Sequence, residues 1–214
     1  MAHPNWPLFD LEVHTPRITL RYVDDELGVE LASLAARGVH DPSYMPFSIP
    51  WTDVPSPLLE QESFRYWWRT RAETTPEHWV ANMAVIVDGE VVGATGMETS
   101  DFAVTQTFST GSWLGLAHQG QGLGKELRQA TLHLGFEGFG AVMAMTGAWH
   151  DNHASLGVTR SLGYAPNGST IKSRRGVATE LCLFRMLRAS WQRIRRPDIS
   201  ITGVEPCLKM LGLA

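Results

Sequence analysis

The residues of this chain best suited to chemistry lie in the run Gly111 to Leu127, where a strand-like segment enters a glycine loop that opens directly into a helix. The loop Gln119-Gly120-Gln121-Gly122-Leu123-Gly124 leaves backbone N–H groups bare of bulky side chains where a helix begins, which is where anions bind. Each charge interaction at a helix end is worth only ~0.3–1 kcal/mol, so a polyphosphate needs several converging amides. A glycine loop supplies them. Lys125 and Arg128, in the first turns of the helix, are candidate phosphate contacts or a solvated helix face.

Spacing excludes two better-known nucleotide loops. The pattern G-x-x-x-x-G-K-[ST], ending on Gly124-Lys125, requires a glycine at Gln119 and a hydroxyl at Glu126. The pattern G-x-G-x-x-G reaches Lys125 when started at Gly120 and Leu127 when started at Gly122. What fits is Q-x-x-G-x-G. A second segment, Asn152-His-Ala-Ser155-Leu-Gly-Val158-Thr-Arg-Ser-Leu162-Gly163-Tyr164, follows N-x-x-S-x-x-V-x-x-x-L-G-[FY]. Together the two resemble the GNAT acyltransferases of the RimJ/RimL branch. The flanking Leu8-Phe9-Asp10-Leu11, Met45-Pro46-Phe47 and Trp113-Leu114-Gly115 are similar to an actinobacterial subgroup that includes a mycobacterial succinyltransferase. The resemblance spans roughly residues 8 to 190.

It implies an α/β GNAT fold, a mixed central sheet flanked by helices, with a splayed strand pair at the coenzyme A site. It also implies acyl transfer, without a covalent acyl-enzyme, from acetyl-CoA as the default donor or from succinyl-CoA to the amine of a protein N-terminus, a lysine or a small molecule. Backbone groups around Leu114, Leu116 and Ala117 would pair with the pantetheine arm and the thioester carbonyl, an oxyanion-type arrangement. The loop from Gln119 through Gly120, Gln121, Gly122, Leu123 and Gly124 to Lys125 would hold the pyrophosphate. Asn152 caps its helix or bonds to the pantetheine amide. Ser155, about one turn later, is the candidate acid near the sulfur, or a helix serine bonded to a nearby carbonyl. RimL-like relatives often carry a glutamate in the strand before the loop, where this chain has Ser109-Thr110-Gly111-Ser112. Glu98 and His118 are the substitute candidates for the base. A weak base favours an acceptor that is substantially neutral near pH 7.5, such as an α-amine of pKa ~7.7–8.0, over a lysine at ~10.4. The competing class is a non-catalytic acyl-CoA sensor of the same fold. His150-Asp-Asn-His153 offers no third ligand in recognisable spacing, so no metal is expected.

These residues need elements to position them. Residues 1–16 hold three prolines and read as an N-terminal arm. Arg17 to Tyr22 alternates as a strand, and Asp24 or Asp25 caps a helix to about Arg37 that Gly38 ends. Five prolines between Val39 and Pro57, with Met45, Phe47 and Trp51, describe an ordered loop with apolar anchors bordering the acceptor site. Leu58 to Ala72 is helical, with Phe64, Trp67, Trp68 and Arg71 on one face predicted to be buried, as core or as acceptor lining. Trp79 to Val87 and Glu90 to Thr99 flank Asp88-Gly89 as a hairpin. Gln106 to Ala117 is the strand before the loop. Leu123, Leu127, Ala130 and Leu134 then line a helix ending near Gly138 or Gly140. Ala141 to Trp149 is a central strand, Asn152 to Gly163 a short helix, and Val177 to Leu187 the last long strand. Residues 17–190 thus form the acyltransferase domain, and 191–214 an extension docking on the domain or on a second subunit, which leaves a homodimer open.

With 214 residues and 43% hydrophobic content the chain can bury one full core. A net charge of −4 argues against nucleic acid as a partner. No apolar run of ~18 residues and no signal-like start are present, so no membrane association and a cytoplasmic location are expected. Cys182 and Cys207 carry neither metal nor redox spacing and are expected to be free thiols.

Overall fold

The computed structural model describes residues 3–214. Its strands are β1 (Glu12–His14), β2 (Thr19–Tyr22), β3 (His78–Val87), β4 (Glu90–Ser100), β5 (Thr107–Leu114), β6 (Met143–Trp149), β7 (Ala165–Arg174), β8 (Val177–Leu187) and β9 (Ser200–Thr202). They form one sheet in the order β7-β8-β6-β5-β4-β3-β2-β1-β9. Only β5 and β6 run parallel. The helices are α1 (Asp25–Ala36), α2 (Leu58–Ala72), α3 (Phe102–Thr105), α4 (Leu123–His133), α5 (His153–Ser161), α6 (Arg188–Gln192) and α7 (Val204–Met210).

Local chemistry sets most of these boundaries. The Asp24 carboxylate accepts the Leu27 N–H at 2.8 Å, which starts α1. At the hairpin tip Asp88 and Gly89 both have positive φ, 50° and 82°, as a two-residue turn between twisted strands requires. The face of α4 bearing Leu123, Leu127, Ala130 and Leu134 is buried in the main core with Phe108 and Phe136. α4 does not end cleanly: Leu134–Gly138 widens into one π-helical turn before β6.

Three expectations are corrected. The strand before the glycine loop stops at Leu114 rather than Ala117, because residues Leu116–His118 tighten into a 3₁₀ turn whose Leu116 N–H donates to Gly38 O at 3.1 Å. The last long strand has an antiparallel partner that the sequence reading left out: β7 is exposed on both faces and therefore shows no hydrophobic alternation. The aromatic face of α2 is half-buried rather than buried. Phe64 and Trp67 pack toward Gly28 of α1, whereas Trp68 is 50% exposed and donates its indole N–H to Asp25.

The arm and the extension meet. β1, within the arm, pairs with β9, within the extension, with Val13 opposite Ile201. Trp191, Cys207 and Leu211 are fully enclosed by the main core. Burial pushes the Cys207 thiol up to about 12, so it is an inert apolar filler. Cys182 is also a free thiol. Among the described residues no helix is long and apolar enough to cross a membrane.

Candidate active site

The parallel pair creates the site. β5 and β6 share a ladder only over Thr107–Ser109 and Met143–Met145, while β5 continues beside β4 to Leu114 and β6 beside β8 to Trp149. Past Ser109 the two strands diverge. Parallel strands end on the same side of a sheet, so the loop after β5 and the turn after β6 converge at the mouth of this opening. α4 starts from the first and α5 from the second. The two helices pack closely, and a Cβ at Gly124 would stand 3.6 Å from Val158.

At the loop, Gly120 and Gly122 have φ of 74° and 77°, the left-handed region that favours glycine. Gly122 is the N-cap of α4 and no side chain caps that end. The N–H groups of Gly120, Gln121 and Gly122 make no hydrogen bond among the described residues, which leaves a row of donors at a positive helix end. Gln119 takes a different part from that implied by the motif. Its side-chain amide donates to Val39 O and Leu114 O, both at 2.8 Å, and so ties the loop to the end of β5 and to the residue after Gly38. Leu123 is buried and offers only its backbone, whereas Lys125 is exposed beside the donors.

The backbone around Leu114 to Ala117 is not the free edge the resemblance implied. Leu114 O and Ala117 O accept from the Gln119 and Gln121 side chains, Gly115 N–H donates to Val92 O and Leu116 N–H to Gly38 O. On the β6 side, the edge of β5 without a backbone partner lies further back, past Ser109, where β6 has turned away and Thr110 O accepts from the Thr146 hydroxyl.

Arg128 does not lie on a solvated face. It is 5% exposed and donates to Thr146 Oγ1 at 3.0 Å and to Ser112 Oγ at 3.3 Å, spanning the divergence. A cation that sequence reading missed stands at the loop instead. Arg17 donates to Gln121 O at 3.2 Å, and one of its terminal nitrogens lies 3.8 Å from where a Gly122 Cβ would be. It is held by Glu126, whose carboxylate also accepts from Thr15 Oγ1 at 2.6 Å. The pairing is too distant in the chain to show in any motif.

Burial alone would raise the Glu126 carboxyl, but the bonds from Thr15 and Arg17 outweigh it and hold the group below its ordinary 4.5. A depressed carboxylate stabilises the fold above its unfolded pKa, and that contribution is lost as pH falls through the folded value. The melting temperature of wild type relative to Glu126→Gln is therefore expected to be higher near neutrality. The gap should close between about pH 5 and pH 3; a gap constant with pH would refute the pair's role.

At the other wall, Asn152 Oδ1 accepts the Ser155 N–H at 3.1 Å and caps α5, while its Nδ2 remains free to donate to a ligand. The capping reading of Asn152 holds, and it uses only the amide oxygen. Ser155 is half-buried in the first turn of α5, and its hydroxyl bonds to no carbonyl among the described residues. Asp151 is committed to Arg174 at 2.9 and 3.0 Å; burial pushes its carboxyl up, but Arg174 brings it below the usual range. Among the described residues no group of three or more His, Cys, Asp or Glu is arranged to hold a metal.

The structure separates the two candidate bases. Glu98 and His118, the latter 3.7 Å from Glu90, stand at opposite ends of β4, about 25 Å apart at the rise of a strand. Glu98 is exposed directly across from Ser109, the last paired residue before the strands part, and Ser109 faces Met145. All three line an open pocket of about 340 Å³ on the face away from α4. The next row there is bare, Gly96 opposite Gly111, and beyond it Trp113, Trp51 and Phe47 form an aromatic wall with centroids 5.7 and 5.2 Å apart. Met45 is buried and Phe47 and Trp51 are packed, as expected of the loop's anchors. Tyr66 of α2 donates to Asn82 at 3.2 Å, and burial, then the Glu98 charge, push its phenol up. Glu98 therefore lies beside the opening and His118 does not.

A glycine loop at an uncapped helix start, beside a parallel pair that splits after a short ladder, defines an acyl-CoA transferase fold. The family profile described as acetyltransferase (GNAT) domain matches residues 17–165, and the chain belongs to this family, whose cosubstrate is acyl-CoA. Solved structures share the fold at low identity. Mycobacterium smegmatis RimJ in complex with CoA-disulfide is 17% identical over 90% of this chain and 95% of its own, with a TM-score of 0.71. The ribosomal-protein-S5-alanine acetyltransferase of Vibrio fischeri is 14% identical over 84% and 98%, with a TM-score of 0.65. RimL, a ribosomal L7/L12 α-N-protein acetyltransferase in complex with coenzyme A, is 14% identical over 81% and 95%, with a TM-score of 0.61.

Proposed function

We propose that this chain is an N-acyltransferase that moves an acyl group from acyl-CoA to a primary amine by direct attack in a ternary complex. The observation that carries the reading is the divergence of β5 from β6 at the unbonded amides of Gly120 to Gly122. The loop amides, with Lys125 and Arg17, hold the pyrophosphate. The pantetheine arm follows the open edge of β5 and meets Asn152 Nδ2.

The amine enters over the Gly96–Gly111 floor, and Glu98 takes its surplus proton, directly or through one water. Ser155 protonates the departing thiolate. A thiol of reference pKa ~8.5 is already a tolerable leaving group, so this help is modest. With a carboxylate as the base, an acceptor already substantially neutral, such as the α-amine of a protein N-terminus, is favoured over a lysine. The RimL and S5-alanine acetyltransferases similar to this chain are named for ribosomal proteins, which agrees with that acceptor class. Acetyl-CoA is the default donor. Succinyl-CoA is the rival, and Arg185, across from Met145 on β8 and without an ion-pair partner among the described residues, is the cation its carboxylate would meet.

Thiol release with acetyl-CoA and succinyl-CoA against a panel of peptide and small amines tests the proposal. Amine-dependent release with one donor supports transfer and selects the donor; coenzyme binding with no release would favour the sensor. Ser155→Ala is expected to lower kcat by about 10-fold with coenzyme binding unchanged. An unaltered rate would remove Ser155 from the mechanism.

A further inference from the structure

We propose that Arg128 is the positive pole against which the coenzyme thiolate leaves, an inference that rests on the acyl-transfer reading above. The guanidinium is 5% exposed, and its Nε is buried with no partner. Its two bonds go to neutral hydroxyls, Thr146 at 3.0 Å and Ser112 at 3.3 Å, and no carboxylate of the described residues lies within ion-pair distance. The acidic neighbour on the same helix, Glu126, stands two residues earlier, about 200° around α4, and is turned to Arg17 and Thr15. The strand side chains at this point are neutral as well: Ser112 of β5 and Thr146 of β6 bond to the guanidinium, and Thr110 beside them bonds to Met145 O.

A buried charge without a counter-ion costs several kcal/mol, and proteins tolerate one where an anion completes it. Arg128 lies about 9 Å along α4 from Gly122, too deep to serve the pyrophosphate. It sits where β5 and β6 part, Thr146 Oγ1 donating to Thr110 O at 3.2 Å just below. In the proposed reaction that point receives the thioester. The amine lone pair forms the new C–N bond as the carbonyl pair moves to oxygen. Collapse re-forms the carbonyl and breaks C–S, the electron pair departing on sulfur, while the surplus amine proton passes to the base on the acceptor face. The immediate products are the amide and the coenzyme thiolate, to which Ser155 passes a proton only afterwards, and the negative charge arising on sulfur is the one a fixed, desolvated guanidinium stabilises.

The test compares wild type with Arg128→Met and Arg128→Lys. Ionisation of bound coenzyme A is followed by thiolate absorbance across pH, with desulfo-coenzyme A as the binding control. In wild type the bound thiol is expected to titrate at least one unit below the reference ~8.5, in the methionine variant near the reference, and in the lysine variant between them. Acyl transfer by Arg128→Met should fall at least about tenfold, the rate equivalent of one pKa unit, with desulfo-coenzyme affinity preserved. Its melting temperature should match or exceed that of wild type, since an uncompensated charge has been removed. An unchanged thiol titration in Arg128→Met overturns the proposal. So does a loss of rate that tracks a loss of desulfo-coenzyme affinity or of stability, which marks a structural tie between the strands. Failure of wild type to bind desulfo-coenzyme A would instead overturn the acyl-transfer reading itself.

Discussion

Replacement of Gly122 by valine is expected to lower kcat/KM for acyl-CoA by at least about 100-fold while the protein stays folded. Gly122 has φ of 77° and caps α4 with its backbone alone, so a β-branched residue there must leave the left-handed region or bear about 1–3 kcal/mol of strain. Leaving it rotates the amides of Gln121 to Gly124 away from a common centre. Hydrogen bonds to a charged group are worth about 1.5–3 kcal/mol each, so loss of two accounts for a factor of about 100 or more. The space itself is open, the nearest atom to an added Cβ being an Arg17 nitrogen at 3.8 Å. Steric damage is therefore not the cause. Gly140 provides the control: it has φ of 79°, open space around its Cβ position, and lies beyond the other end of α4. Gly140→Val should carry similar strain and leave coenzyme binding intact. Steady-state kinetics and coenzyme titration of both variants decide the matter; equal loss in the two would show that strain alone, and not the loop amides, is responsible.

The largest effect on stability is expected at the opposite side of the sheet. Gly203 joins β9 to α7 with φ of 73°, and a Cβ there would stand 2.1 Å from the carbonyl oxygen and 2.7 Å from the carbonyl carbon of Asp10. Backbone on backbone cannot be relieved by a rotamer change. Gly203→Ala is expected to cost about 3 kcal/mol, from strain and overpacking together. In a domain of this size that lowers the melting temperature by about 6–12 °C. Release of α7 should also expose Cys207, which is fully enclosed in the intact fold, so its alkylation rate, followed by mass spectrometry against Cys182, should rise. A change of melting temperature under about 2 °C with Cys207 still protected would show that β1 and β9 can part without consequence.

Local chemistry by itself determined a large part of this protein. The Asp24 cap, the Asp88-Gly89 hairpin, the bounds of α2 and β8 and the Asn152-capped helix are all decided by neighbours a few residues away, and they stand where the sequence placed them. The glycine loop is local as well, because its unbonded donors are consecutive amides. What tertiary structure alone decided are contacts between residues far apart in the chain. Arg128 lies on a helix turn that reads as solvated, and only the divergence of β5 from β6 encloses it between Ser112 and Thr146. Arg17 reaches the loop because the turn between β1 and β2 lies against α4, where Thr15 and Arg17 bond to Glu126. Glu98 and His118 were equal candidates as types of residue, and the register of β4 put one beside the strand divergence and the other at the far end of the strand. β7 and β9 went unread because an exposed strand shows no alternation and a three-residue strand offers no period; they exist only because β8 and β1 supply their hydrogen bonds. Spacing in a sequence reports which groups share a turn or a face, whereas the partner of a buried charge, or the edge on which a strand pairs, is settled by the packing of the whole chain.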